Sequence, residues 1–287
     1  MFKTYAEYYN DAKLLYPSSN PKKDVYEFTH EITLPGQKSE IIENITDDFY
    51  KLVDKVAGIY SERLSDNDRC YWPPGPDGLK KEDDIVRMCK DIIDVPDIEN
   101  IVSIIAPQIE KNLYGSYMQV QNIYVYRSPV TKVQPRMSWL WHYDNHPYEY
   151  MKCMIYLTDV GENDGPLEMM VHSDTGLGAK HKSYRTSWNN WRAAPNNSRF
   201  TEKQIEDLEE QGYEPKKVCG PKGTIIVFNE NVVHRANIAK ENDRDVINFM
   251  IKPSTEKLVP YLNKEYTGTF QNKDMFTDPS HRGLIFK

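Results

Sequence analysis

Two patterns of hydrophobic spacing divide the chain. Over roughly the first 110 residues, apolar side chains recur at helical spacing. Residues 47–64 place Phe49 and Val53 on one side of a predicted helix. A second helix is predicted over 96–113, because proline suits its first turn and Gly115 suits its end. Each helix presents an apolar face that can pack on a core.

After Gly115 the pattern changes to short runs rich in β-branched and aromatic residues, with turn residues between them. Six such runs are predicted to be strands: 117–126, 138–144, 151–158, 167–172, 223–229 and 245–251. Short strands of this kind are typical of a double-sheet antiparallel fold such as a jelly roll. The predicted fold class is therefore α+β with a mainly β core, a double-stranded β-helix (jelly roll, cupin-like) flanked by N-terminal helices.

A long insert, residues 173–222, separates the fourth predicted strand from the fifth. It contains a predicted helix over 202–211, with Thr201 as N-cap and Gln204 completing a capping box. A connection of this length usually has a function, and a lid or a wall of the substrate site is expected. We predict a single domain over 1–287 with three parts: a helical N-terminal extension (1–114), a jelly-roll core with the insert (115–255) and a C-terminal segment (256–287).

Composition limits the classes of partner. The formal net charge is -7 and no long Lys/Arg run is present, which argues against a nucleic-acid backbone. The first ten residues, MFKTYAEYYN, lack the apolar segment of a signal peptide, and no run approaches the roughly 18–20 apolar residues that span a bilayer. Four widely spaced cysteines favour a reducing compartment. We predict a cytoplasmic protein with a small-molecule substrate and no membrane partner; the oligomeric state stays open.

The segment WHYDNHP, residues 141–147, carries a candidate metal site. On an extended strand, residues two apart point the same way, so His142 and Asp144 share a face. The best candidate for a third ligand is His234, which follows the strand-like run GTIIVFNENVV. Two histidines and one carboxylate form the facial triad of non-haem Fe(II) oxygenases, which leaves coordination positions open.

Two neighbouring residues bear on this assignment. Arg244 follows His234 by ten residues, and its guanidinium offers a bidentate match to the distal carboxylate of 2-oxoglutarate. His146, two residues beyond Asp144, is the rival ligand. Because Pro147 turns the chain into a loop, a contact with the substrate or with a ligand suits His146 better than the metal.

On these motifs the chain resembles the phytanoyl-CoA dioxygenase-like branch of the Fe(II)/2-oxoglutarate oxygenases. The matching text is WHYD (141–144), MIYLTDVGENDGPLEMMVHSD (154–174) and GPKGTIIVFNENVVHRAN (220–237), followed by Arg244. The resemblance covers roughly 115–255. It departs at Ala236, where family members often have a serine or threonine that helps the arginine. Tyr126 or Gln121 on the preceding strand are candidates for that role, and Met154 and Tyr156 could line the same pocket.

The resemblance implies a cofactor, a cosubstrate and a reaction. Fe(II), 2-oxoglutarate and O2 would act together, with release of succinate and CO2 and oxidation of a substrate C–H bond. Related halogenases carry a small residue in place of the carboxylate, so Asp144 indicates hydroxylation, or a related desaturation or demethylation. A cupin-like isomerase or lyase and a non-catalytic jelly-roll binding protein are the alternatives.

The identity of the substrate is not encoded in any motif. The insert carries Arg185, Arg192 and Arg199 beside three aromatic residues, Tyr184, Trp188 and Trp191. Cationic and aromatic side chains together suit a small polar or anionic molecule, or a sugar ring. A solvated excursion that binds nothing is the alternative for this stretch.

Overall fold

A computed structural model describes residues 2–17, 20–73, 86–181, 198–264, 267 and 285–286. The α-helices are α1 (Tyr5–Leu15), α2 (Asp47–Ser65), α3 (Pro96–Ile109) and α4 (Glu202–Glu210). The strands are β1 (Phe2–Lys3), β2 (His30–Thr33), β3 (Cys70–Tyr71), β4 (Arg87–Cys89), β5 (Tyr117–Ser128), β6 (Met151–Tyr156), β7 (Leu167–His172), β8 (Tyr213–Val218), β9 (Ile225–Asn229), β10 (His234–Ala236), β11 (Arg244–Ser254) and β12 (Ile285–Phe286).

Two antiparallel sheets form the β core. The major sheet has seven strands in the order β2-β9-β6-β11-β5-β4-β3, and the minor sheet has three in the order β10-β7-β8. Side chains of both sheets meet in one apolar cluster, with Tyr156, Phe228 and Val246 from the major sheet and Leu167 and Met169 from the minor sheet. Because the two sheets face each other across this cluster, their inner faces form the interior in which a site can be enclosed.

The opposite face of the major sheet packs on helices α2 and α3. Phe49 and Val53 of α2 and Ile98 of α3 share one cluster with Ile155 and Ile247 of the sheet. This explains why central strands such as β11 are buried along their whole length, with apolar residues on both faces. The predicted apolar faces of both helices are confirmed.

The N-terminal part of the chain is less purely helical than predicted. Strands β2, β3 and β4 all come from residues 1–114, and they form both edges of the major sheet. These runs are only two to four residues long, too short for a periodic signal, and β2 pairs with the distant strand β9. The helix predicted over 96–113 continues from α3 as a π-helical turn, Glu110–Tyr114, and ends at Gly115 in the left-handed conformation.

The strand predicted over 138–144 is absent as a regular element. A short 3-10 turn, Met137–Trp139, precedes an extended stretch in which His142 forms isolated bridges to His234 and to Arg199. The 173–222 insert also differs from the prediction. Its last part, β8, pairs with β7 in the minor sheet, while α4 begins at Glu202 with the predicted Thr201–Gln204 capping box.

The turn before β7 offers a test of the fold. Gly165 has φ +71°, and a Cβ there would lie 2.9 Å from the carbonyl oxygen of Asn237. We expect Gly165→Ala to lower the free energy of unfolding by about 1–3 kcal/mol from the backbone conformation alone, with the clash adding to this. Urea denaturation measures the change.

Gly58, on the exposed side of α2, supplies the matched control. A Cβ there meets no atom within 4 Å, so Gly58→Ala should raise the stability by about 0.5–1 kcal/mol through helix propensity. An equal effect of the two substitutions would contradict the conformational requirement at Gly165.

Candidate metal centre

Backbone pairing brings two distant segments of the chain together. The amide of His142 donates to the carbonyl oxygen of His234 and the amide of His234 donates back to that of His142, both at 2.9 Å. The amide of Asp144 donates to the carbonyl oxygen of Glu230, also at 2.9 Å. This short ladder aligns the extended stretch around His142 with the start of β10. The predicted candidates His142, Asp144 and His234 therefore lie side by side.

The two imidazoles present the same nitrogen to the centre of the group. Nδ1 of His142 donates to the carbonyl oxygen of Leu140 at 2.8 Å, and Nδ1 of His234 donates to that of Val232 at 2.7 Å. Only a protonated nitrogen can donate to a carbonyl, so the lone pair resides on Nε2 in each ring. These Nε2 atoms lie 3.8 Å from Oδ1 and 3.6 Å from Oδ2 of Asp144, respectively.

Burial sets the charge of the three groups. It lowers the pKa of His142 to about 3, with the neighbouring His234 adding to the effect, and it lowers the pKa of His234 as well. Burial also raises the pKa of Asp144, but Lys152 and the two histidines outweigh it, and the net pKa lies below its ordinary value. At neutral pH the group therefore consists of two neutral imidazoles and one carboxylate.

This donor set fits a divalent metal. One ligand atom from each residue lies within 4.8 Å of the others, and among the described residues no other group of three or more His, Cys, Asp or Glu side chains is so placed. Two imidazole nitrogens and one carboxylate oxygen are the ligands of an Fe(II) facial triad. The two Nε2 atoms lie 3.6–3.8 Å from the carboxylate oxygens, too far for hydrogen bonds, and a metal ion between them would bind all three groups.

His146 takes a different position. Its Nε2 lies 3.3 Å from Oε2 of Glu230, a fully buried carboxylate. Its ring stacks on Tyr150 with the centroids 5.6 Å apart. His146 is thus held beside the candidate metal centre, outside the His142–Asp144–His234 group, as the loop-forming Pro147 indicates.

Arg244 begins β11 and is almost fully buried, with 1% of its surface exposed. Its Nη2 donates to Oγ of Ser128 at 3.1 Å, and Ser128 is its direct partner on β5. Nε and Nη1 have no hydrogen-bond partner among the residues that the structure describes. A buried guanidinium with two unpaired donors is destabilising by itself, so it indicates a site for an anionic oxygen pair.

Ser128 therefore occupies the place expected of the residue that assists Arg244. Sequence reasoning missed it because the predicted strand ended at Tyr126, whereas β5 continues to Ser128. Tyr126 shares the interior face, since it pairs with Val246 two residues beyond Arg244. Gln121 does not reach this point, because it lies seven residues before Ser128, roughly 23 Å along the strand.

Lys152 is the other site residue that sequence reasoning missed. It is the one charged residue of β6, MKCMIY, and its Nζ lies 2.5 Å from Oδ2 of Asp144. A lysine within a buried apolar strand is a signal that could have been used. Met154 and Tyr156 point to the same interior as Lys152, and both belong to the apolar cluster between the sheets.

The middle of the insert contacts the candidate metal centre at Arg199 and Phe200. The amide of Phe200 donates to the carbonyl oxygen of Trp141 at 2.9 Å, next to the bridge between Arg199 and His142. The half-buried Arg199 guanidinium helps to lower the pKa of His142, and the Asp144 carboxylate in turn raises the pKa of Arg199 against the effect of burial. The other insert residues proposed from the sequence lie outside the described residues: Tyr184, Arg185, Trp188, Trp191 and Arg192.

Comparison with known proteins gives the family. The model of the phytanoyl-CoA dioxygenase (PhyH) family matches residues 80–240, which include all three members of the candidate triad. The match spans more than half of the chain, so the chain belongs to this family. The predicted family is confirmed. No curated protein sequence matches the chain significantly.

Solved structures confirm the fold. EctD from S. alaskensis with bound Fe superposes with a TM-score of 0.53 at 12% identity, over 88% of this chain and 86% of that chain. The epimerase SnoN, in complex with Fe3+, alpha ketoglutarate and nogalamycin RO, has a TM-score of 0.51 at 12% identity, over 79% and 80%. The predicted jelly-roll architecture is shared with both.

Within the described residues, no helix is long and apolar enough to cross a membrane.

Proposed function

We propose that the protein is an Fe(II)- and 2-oxoglutarate-dependent dioxygenase that hydroxylates a C–H bond of a small polar molecule. The observation that carries this proposal is the presence of two complementary features in one interior. One is a metal-binding group of two neutral imidazoles and a carboxylate, and the other is a buried Arg244 with two unpaired donors. A cupin-type isomerase or lyase would not need the second feature, and a non-catalytic binding protein would need neither.

Each side chain has a defined task in this proposal. His142, Asp144 and His234 hold the metal, and Arg244 binds the distal carboxylate of 2-oxoglutarate with Ser128 beside it. Fe(II) held there would let O2 oxidise 2-oxoglutarate to succinate and CO2 and the substrate C–H bond to C–OH. The apolar cluster between the sheets keeps bulk water from the reaction.

Support for these cofactors comes from three directions. The chain belongs to a family of dioxygenases, and its donor set is the one that Fe(II) takes in such enzymes. The structures with the same fold were solved with Fe, with 2-oxoglutarate and 5-hydroxyectoine, or with Fe3+ and alpha ketoglutarate. A carboxylate at position 144 favours hydroxylation over halogenation, because it occupies the position that a halide would need.

The charges that face the candidate metal centre support a polar or anionic substrate. Arg199 is half-buried beside the metal ligands, and burial lowers its pKa while Asp144 opposes this. A guanidinium beside such a site suits a carboxylate or a phosphate group. This is consistent with the polar or anionic substrate predicted from the composition of the insert.

The proposed function predicts a spectroscopic result. Under anaerobic conditions, Fe(II) and 2-oxoglutarate added together should produce a weak visible charge-transfer band that neither produces alone. The band reports chelation of the metal by the 2-oxo acid, and it needs no knowledge of the substrate. Absence of the band from folded wild-type protein, at saturating concentrations of both, would overturn the proposal.

The substrate class is then found by activity. Succinate release should be stimulated by a small polar or anionic compound, and 18O2 should place one labelled oxygen atom in the product. A stimulated reaction that yields a product without new oxygen would replace hydroxylation with desaturation or another C–H oxidation.

A further inference from the structure

Lys152 occupies a buried position, where a charged side chain is energetically unfavourable. It lies at the centre of the major sheet, paired with Phe228 of β9 on one side and with Met250 of β11 on the other. Its side chain is only 16% exposed, and its neighbours on β6 are buried and apolar. Burial of an ammonium group is unfavourable unless it is paired, so the pairing of Lys152 identifies its role.

Two carboxylates surround this ammonium. Nζ lies 2.5 Å from Oδ2 of Asp144, and Glu230, which is fully buried, attracts the ammonium as well. The two carboxylates are held in place by the backbone, since the amide of Asp144 donates to the carbonyl oxygen of Glu230 at 2.9 Å. Lys152 therefore has a fixed position before any metal arrives.

The two oxygens of Asp144 are consequently not equivalent. Oδ2 accepts a charge-assisted hydrogen bond from Lys152 and lies 3.6 Å from Nε2 of His234. Oδ1 lies 3.8 Å from Nε2 of His142 and accepts no hydrogen bond from the described residues. A carboxylate with two free oxygens could bind a metal through both. That would occupy a coordination position which 2-oxoglutarate or O2 requires.

We propose that Lys152 is a positioning residue for Asp144, holding Oδ2 by a charge-assisted hydrogen bond so that Oδ1 alone is offered to the metal. This inference rests on the proposed function, because it assigns the metal to the His142–Asp144–His234 group. It adds a determinant of metal affinity and of coordination number that lies outside the three ligands.

Two electrostatic effects of Lys152 oppose each other. The ammonium orients Asp144, which favours metal binding, but its positive charge repels a divalent cation. Groups that hydrogen-bond to a metal ligand typically contribute about 10- to 100-fold to metal affinity. The positioning role therefore predicts a loss of affinity when Lys152 is removed, whereas dominant repulsion predicts a gain.

Three variants separate these possibilities. Lys152→Met removes the charge and the hydrogen bond with little change in size, and Lys152→Gln keeps a neutral donor. Lys252→Met is the matched control, because Lys252 is a buried lysine of the same sheet that pairs with Gln119 of β5 and not with β6. Co(II) is the probe, since it reports both affinity by calorimetry and coordination number by its visible absorption, without 2-oxoglutarate or turnover.

We expect Lys152→Met to bind Co(II) about 10- to 100-fold more weakly than wild type, with an altered visible absorption as Asp144 turns. Lys152→Gln should bind Co(II) about 3- to 10-fold more weakly and keep the wild-type spectrum, because a neutral hydrogen bond is roughly half as strong as a charge-assisted one. Lys252→Met should match wild type in Co(II) affinity and in visible absorption. Circular dichroism checks that each variant is folded; if Lys152→Met is not, Lys152→Gln alone decides on affinity.

Unchanged or tighter Co(II) binding by a folded Lys152 variant, with the wild-type spectrum, would overturn the positioning role and leave the proposed function standing. Failure of the wild-type protein itself to bind Co(II) or Fe(II) would instead overturn the proposed function. The two failures are thus distinguished by the wild-type titration.

Discussion

Replacement of Asp144 by alanine is expected to abolish Fe(II) binding and to lower succinate formation by about a thousand-fold or more. The substitution removes the carboxylate of the group and leaves two neutral imidazoles, which do not offset the charge of the metal. It also leaves the ammonium of Lys152 buried without its 2.5 Å partner and close to the incoming cation. A metal that contributes several kcal/mol to catalysis corresponds to a loss of this size.

The measurement is an anaerobic Fe(II) titration, followed by the charge-transfer band with 2-oxoglutarate and by a succinate assay. His146→Ala is the matched control, because His146 is the neighbouring imidazole whose Nε2 faces Glu230 instead of the group. That variant should keep the band. If Asp144→Ala retained Fe(II) affinity, or if His146→Ala lost the band, the ligand assignment would be wrong.

Replacement of Arg244 by methionine is expected to weaken 2-oxoglutarate binding strongly while Fe(II) binding is kept. Truncation of one partner of a buried, hydrogen-bonded charge pair costs about 2–5 kcal/mol, which corresponds to about 30-fold or more in Kd. Metal binding should persist, because no ligand of the group contacts Arg244. The measurement is a titration of the Fe(II)-loaded protein with 2-oxoglutarate, read from the charge-transfer band or by calorimetry.

Ser128→Ala provides a graded comparison for Arg244. The substitution removes one neutral hydroxyl, whose hydrogen bond to Nη2 is worth about 0.5–1.5 kcal/mol. We therefore expect the affinity for 2-oxoglutarate to fall by about 2- to 13-fold. Without ligand, Arg244→Met should not lower the melting temperature, because Nε and Nη1 are buried without partners. Loss of Fe(II) with unchanged 2-oxoglutarate affinity would show that Arg244 serves the metal centre instead.

Local sequence patterns were sufficient to predict several features of the site and of the helices. The H-x-D spacing places His142 and Asp144 on one side of any extended segment, whether or not that segment is a regular strand, because side-chain direction depends only on local backbone geometry. The same holds for the apolar faces of α2 and α3 and for the Thr201 cap of α4. These features need no knowledge of the rest of the chain.

Such local patterns could not predict which distant segments pair with each other. The residue pattern of 138–144 predicts a strand, but the segment does not pair with a single neighbouring strand. Its backbone amides donate to the carbonyl oxygens of Ser198, Glu230 and His234. The short strands β2, β3 and β4 likewise exist only because the major sheet offers them an edge. Register is determined by the packing of the whole core, which a local window cannot contain.

By itself, then, the sequence determined the family, the jelly-roll fold and the His142–Asp144–His234 candidate triad. Only the tertiary structure decided that Ser128 contacts Arg244 and that Lys152 holds one oxygen of Asp144. The physical reason is the same in both cases. The direction of a side chain follows from its own backbone, but its partner depends on distant segments. Ser128 and Arg244 meet through the register of two strands, and Asp144 reaches Lys152 because its segment is hydrogen-bonded to Glu230 and His234.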